Sequence, residues 1–125
     1  MIEELESKLA KDTNGLLTYE YIANHINSID DMMPDLVENM IRVDKTGQFV
    51  VSTARYLCAI DSERYADSID VLVKAAIEKD REHKYLGDLI AGIYGADYKE
   101  RAAELSATDD NFRRIYKRLY PANGL

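Results

Sequence analysis

Residues 33–61 read MPDLVENMIRVDKTGQFVVSTARYLCAID, and residues 69–97 read IDVLVKAAIEKDREHKYLGDLIAGIYGAD. Slid by 36 positions, Met33, Leu36, Val37, Ile41 and Asp44 fall on Ile69, Leu72, Val73, Ile77 and Asp80. Further on, Phe49, Val50, Ala54, Leu57 and Asp61 fall on Tyr85, Leu86, Ile90, Ile93 and Asp97. Apolar residues three and four apart mark one face of a helix, whereas a strand would alternate every second residue. Each copy therefore reads as a helix, an aspartate turn, a second helix and a closing aspartate.

Outward from these copies the same periodicity holds. Ile2, Leu5 and Leu9 place a first helix at about 2–11, which Asp12-Thr13-Asn14-Gly15 stops. A second helix starts from Thr18 as N-cap and turns Tyr19, Ile22, Ala23, Ile26 and Ile29 inward. Asp30-Asp31 opens the third, with Pro34 in its first turn, where a missing N–H costs little. Asp61-Ser62 caps the fifth helix, Asp80 the sixth, Asp97 the seventh and Thr108 the last. Pro121 ends that helix, leaving residues 122–125 as a frayed tail beyond a single domain at 1–121. About eight helices joined by short turns describe an all-α fold.

The segment KYLGDLIAGIYG at 84–95 belongs to this pattern and not to a phosphate loop. A dinucleotide fingerprint needs G-x-G-x-x-G directly after a strand, and neither the spacing nor the strand is present. Gly87, Ala91 and Gly95 fall instead at i, i+4 and i+8, a stripe of small residues. A glycine inside a helix costs ~1 kcal/mol relative to alanine, so the stripe predicts close approach of a neighbouring helix.

Hairpins recurring at a fixed period bury their apolar faces against one another. The form over residues 16–97 resembles HEAT-like repeats, with Pro34 in the first helix, Asp44 and Asp80 at the turn, and Arg55 loosely matching the basic residue of the second helix. The period is shorter than the ~40–47 of that family, and Asp70 stands where a second proline would fall. At the front, His25–Asp30 matches Tyr56–Asp61 at an offset of 31. The resemblance implies stacked helical hairpins, an α-α superhelix. An irregular helical bundle is the alternative that the residues leave open.

Charge is unevenly spread. Residues 1–40 carry nine acids and two lysines, whereas residues 99–125 carry six bases and four acids. An acidic front third repels phosphates, so nucleic acid and anionic membrane are not the expected partners, and a basic protein surface is. The single cysteine, Cys58, forms no intramolecular disulfide. No signal-like leader and no membrane-length apolar run are apparent, which predicts a cytoplasmic setting.

Chemistry-bearing constellations are scarce. Two histidines, His25 and His83, do not supply the converging ligands of a metal site, even with Asp80 and Glu82 near His83. Cys58 falls on a core-facing position, where cysteine acts as a small hydrophobe. No cofactor is expected. Arg113, Arg114, Lys117 and Arg118 form a basic face on the last helix, which could be solvated or could meet the acidic third of another copy.

These readings predict a non-catalytic protein-interaction module, an adaptor or scaffold. Its partner surface is expected at Glu20, Asp30, Asp31, Asp35 and Glu38, beside the edge tyrosines Tyr21 and Tyr56. Charge would steer the encounter and buried aromatics would hold it. The alternative is a small acidic inhibitor of the immunity or antitoxin kind, masking a basic toxin or nuclease through the same face.

Overall fold

The computed structural model describes residues 1–121, and the expected tail at 122–125 lies outside the described residues. The fold is all-helical. In chain order come α1 (Glu3–Ala10), α2 (Leu16–Asn24), a 3-10 turn (Asp30–Met32), α3 (Met33–Val43), α4 (Gln48–Asp61), α5 (Ala66–Lys79), α6 (Leu86–Tyr94), α7 (Ala102–Thr108) and α8 (Asp110–Leu119). The odd helices α1, α3 and α5 touch in sequence, as do the even helices α2, α4, α6 and α8. The two rows meet where α2 packs on α3 and α4 on α5, and α8 closes the end against α5 and α6.

The turns are built on buried aspartates. Asp44 is 1% exposed; its Oδ1 accepts the N–H groups of Thr46 and Gly47, both at 3.0 Å, and its Oδ2 those of Phe49 at 2.9 Å and Val50 at 2.8 Å. The first N–H groups of a helix have no partner within it, and a carboxylate there also meets the positive end of the helix dipole. Asp80 repeats the arrangement on Lys84, Tyr85 and Leu86 at 2.9, 2.7 and 2.9 Å. Asp12 repeats it on Asn14, Gly15 and Thr18 at 3.3, 3.0 and 2.9 Å.

In all three turns the residue three past the aspartate has positive φ: Gly15 at 104°, Gly47 at 96° and His83 at 56°. The residue six past it donates to the carboxylate and is buried: Thr18, Val50 and Leu86. Gly15 is also pressed from outside, because a Cβ there would lie 2.8 Å from the Met40 sulfur and 2.9 Å from the Phe49 Cβ.

Between the rows lies the core, in which Leu9, Ile22, Leu36, Met40, Val50, Leu57, Leu72, Leu86, Leu89, Ile90 and Ile115 are essentially inaccessible. Each such side chain contributes ~1.5–3 kcal/mol by leaving water. A polar thread crosses the front of the core. Asn39 donates to the Leu9 carbonyl at 3.1 Å and the Thr18 hydroxyl at 3.0 Å, and that hydroxyl donates to Asp12 at 2.7 Å. Since α1 is short and buries only Leu9, this thread does much to fix it on α2 and α3.

Several expected boundaries shift. Thr18 is not an N-cap: α2 begins at Leu16, and Thr18 lies buried inside it. The Asp61 carboxylate holds only the Arg64 N–H, at 3.1 Å, so a turn precedes α5 and Tyr65 stands at its start. Asp80 sits six residues before α6 because the positive-φ turn must be completed first. Residues 97–101 form turns before α7. Asp109, not Thr108, caps α8, its Oδ1 accepting the Phe112 N–H at 2.9 Å.

The small-residue stripe does not mark a close approach. A Cβ at Gly87 would meet nothing within 4 Å, and Gly95 ends α6 with φ of 100°. The tight position is Gly92, where a Cβ would come within 2.8 Å of the Arg55 side chain.

Removing the Asp44 carboxylate strands several N–H groups, two of them on buried residues. Asp44→Ala should cost about 2–4 kcal/mol in urea unfolding, from a penalty of about 1–3 kcal/mol for each unsatisfied buried group that water does not rescue. For Asp12, burial alone pushes the carboxyl pKa up. Hydrogen bonds from the Thr18 hydroxyl and the Thr18, Gly15 and Asn14 backbones outweigh it and hold the group below its ordinary range. A depressed folded-state pKa stabilises fully above the unfolded value of ~3.9, and the contribution is lost as pH falls through the folded value. Asp12→Asn should therefore be less stable at neutral pH and lose less on acidification below about pH 4 than the parent chain, measured by urea unfolding across that range. Gly87→Ala should stabilise by up to about 1 kcal/mol, while Gly15→Ala should destabilise by more than that, both read by thermal and urea melts.

Candidate functional site

Of the residues expected to form a partner surface, four are engaged within the chain. Asp30 takes Arg64 Nη2 at 2.5 Å and Nε at 2.8 Å, with the Tyr65 hydroxyl at 3.5 Å, and so ties the turn before α3 to the turn before α5. Asp35 lies 3.2 Å from the amino group of Met1. The Tyr56 hydroxyl donates to the Ala23 carbonyl at 3.4 Å, and its ring meets Tyr19 edge-on at 6.2 Å, joining α4 to α2. Tyr21 stacks on His25 with ring centroids 4.1 Å apart. Exposed salt bridges of this kind are worth ~0–1 kcal/mol each, so they orient side chains more than they hold the fold.

Glu20, Asp31 and Glu38 are exposed and have no ion-pair partner among the described residues. They do not share one element. Glu20 lies on α2 with Tyr21, Asp31 in the 3-10 turn, and Glu38 on α3 with Asp35. The expected surface is thus divided between the even row and the α3 side.

Beside Glu38 lies a feature that the core pattern hides. An open groove of about 290 Å³ runs between α3 and α5. Pro34, Val37 and Ile41 line it from α3, Val71 and Ser68 from α5, and Glu38 and Asp67 border it. Val71 is 48% exposed, although its neighbours Leu72 and Val73 are buried. The sequence does hold a signal for this: Val71 is an apolar residue off the α5 core stripe of Ile69, Leu72, Val73 and Ala76. The same carboxylate of Glu38 also borders a second hollow, lined by Met1, Glu6, Asp35, Asn39 and Arg42 among others.

The basic face of α8 is partly spent inside the chain. Arg113 pairs with Asp110, and Arg114 with Glu78 at 3.0 Å, while Arg118 donates to the Arg114 carbonyl. Lys117 is exposed and has no ion-pair partner among the described residues.

Chemistry-bearing side chains do meet in one place. A cavity of about 240 Å³ is lined by Cys58, Ser62, Asp70, Tyr94, Asp109 and Asn111, with aliphatic neighbours. Some of its polar groups are engaged with one another: Tyr94 donates to Asp109 at 3.1 Å and Asn111 to Asp70 at 2.8 Å, where Lys74 also pairs at 2.5 Å, while the Asn111 Oδ1 is buried with no hydrogen-bond partner among the described residues. Burial, then the adjacent Asp109 charge and hydrogen bond, raise the Tyr94 hydroxyl pKa well above its ordinary value. Burial likewise raises that of the half-buried Cys58 thiol. A raised thiol pKa lowers the thiolate fraction, the reverse of an activated nucleophile.

His25 ends α2, its Nδ1 2.9 Å from the Tyr21 carbonyl, and His83 occupies the Asp80 turn. No group of three or more His, Cys, Asp or Glu that could hold a metal occurs among the described residues. No helix among them is long and apolar enough to cross a membrane. No protein-family model, curated protein or solved structure matches the chain.

Proposed function

We propose that the chain is a non-catalytic helical interaction module, a HEAT-like array of hairpins whose acidic side receives a basic protein. The observation that carries this reading is the set of exposed carboxylates at Glu20, Asp31 and Glu38, which face water with no cation of their own. Uncompensated charge of one sign raises association rates for a partner of the opposite sign and rejects partners of the same sign. It does not favour nucleic acid or anionic lipid, whose phosphates it repels. Stacked hairpins suit such a role because their helices present extended side-chain rows on a fixed frame.

Affinity capture on the tagged full chain, read by mass spectrometry, tests the reading. The expected partner is a basic protein that is released as salt rises, since exposed charge pairs are screened within ~10 Å at 0.1 M. It should also be lost when Asp31 and Glu38 are both changed to lysine. A captured set that this double reversal leaves unchanged would overturn the assignment.

A further inference from the structure

We propose that the groove between α3 and α5 is the docking slot for a basic amphipathic helix, which inserts aliphatic side chains between Pro34, Ile41 and Val71. The inference rests on the interaction-module reading and adds the place and the form of the partner. Three observations carry it. The walls are apolar, with Val37 as a buried floor and Val71 48% exposed. The border is anionic: Glu38 and Asp67 are exposed and have no ion-pair partner among the described residues. The shape is that of a trough between two helices, and Pro34 to Ile41 spans roughly 10 Å at 1.5 Å per residue.

That length is about two helical turns, which takes aliphatic side chains at i, i+3 or i+4, and i+7 of a docked helix, the usual anchors of helix-in-groove recognition. At about 290 Å³ the hollow is at the lower edge of ligand-sized pockets, ~300–1,000 Å³, and it is open, which suits side chains better than an enclosed cofactor. The carboxylates select the rest of the partner. Lysine or arginine flanking the anchors would meet Glu38 and Asp67, and phosphate-bearing surfaces would be repelled. A second copy docking groove to groove would bring Glu38 and Asp67 of one chain near those of the other, and like charges disfavour that contact. The basic face of α8 offers less free charge than its sequence suggests, because Arg113 and Arg114 already pair with Asp110 and Glu78.

The test is selection of a random dodecapeptide phage library on the immobilised full chain, followed by fluorescence anisotropy of labelled winners. Winners should carry net positive charge and aliphatic residues at i, i+3 or i+4, and i+7. Val71→Lys, at a position 48% exposed, should weaken them roughly tenfold or more. Glu38→Lys should weaken them several-fold and flatten the salt dependence. Circular dichroism of both variants checks that they stay helical. Basic winners that survive Val71→Lys and are lost on Glu20→Lys or Asp31→Lys would overturn the groove while sparing the wider reading. Neutral or acidic winners, or none, would overturn both. Self-association in sedimentation that Val71→Lys abolishes would assign the groove to a second copy and overturn the proposal.

Discussion

A buried carboxylate that accepts the first N–H groups of the following helix is the constraint on which the rest of this fold depends. An unpaired charge in the interior costs several kcal/mol, and so does a helix start without acceptors for its N–H groups. At Asp12, Asp44 and Asp80 each liability satisfies the other. The charge is spread over three or four N–H groups, and the turn that brings them together has little freedom left. Because the donor six residues on is itself buried, the carboxylate also sets which face of the next helix turns inward. The core follows from these corners as much as it creates them.

The front corner shows how this constraint is extended. Asp12 is held by the Thr18 hydroxyl as well as by backbone, and the hydroxyl oxygen in turn accepts from Asn39 on α3. Asn39 reaches on to the Leu9 carbonyl of α1. In a polar chain of this kind each group satisfies the next, so loss of one leaves others buried without partners. A helix as short as α1 would otherwise be marginal.

Helix number, all-α class and most of the core were legible from spacing alone, because a 3.6-residue period leaves a strong trace in stripes such as Met33, Leu36, Val37 and Met40. The corners were legible only as stops. Asp12-Thr13-Asn14-Gly15 reads as a helix end, yet it aligns with Asp44-Lys45-Thr46-Gly47 at a step of 32, and Asp44 aligns with Asp80 at 36. Two different steps leave no single period, and the match of His25–Asp30 with Tyr56–Asp61 at 31 adds a third. His83 masks the third corner further, since histidine does not announce the positive φ that glycine does. The start of α6 was misplaced for the same reason: Asp80, six residues before its last donor Leu86, resembles an N-cap but acts across a turn. The stripe of Gly87, Ala91 and Gly95 misled because small size permits close packing without requiring it.

Charge carries the same lesson onto the surface. Nine acids against two lysines in residues 1–40 look like one broad acidic face. Yet Asp12 is buried and used by the fold, Asp30 pairs with Arg64, and Asp35 pairs with the amino group of Met1. The remainder, Glu3, Glu4, Glu6, Glu20, Asp31 and Glu38, sets the potential that an approaching molecule meets. Among these Glu38 stands apart, because it alone borders an apolar groove and Asp67 faces it from another helix. Charge on a bare surface changes encounter rates, whereas charge beside exposed aliphatic side chains can be joined to the removal of apolar area from water. Only the second combination gives a contact that lasts, which is why the proposed docking slot lies at the α3–α5 border and not on the bare acidic surface.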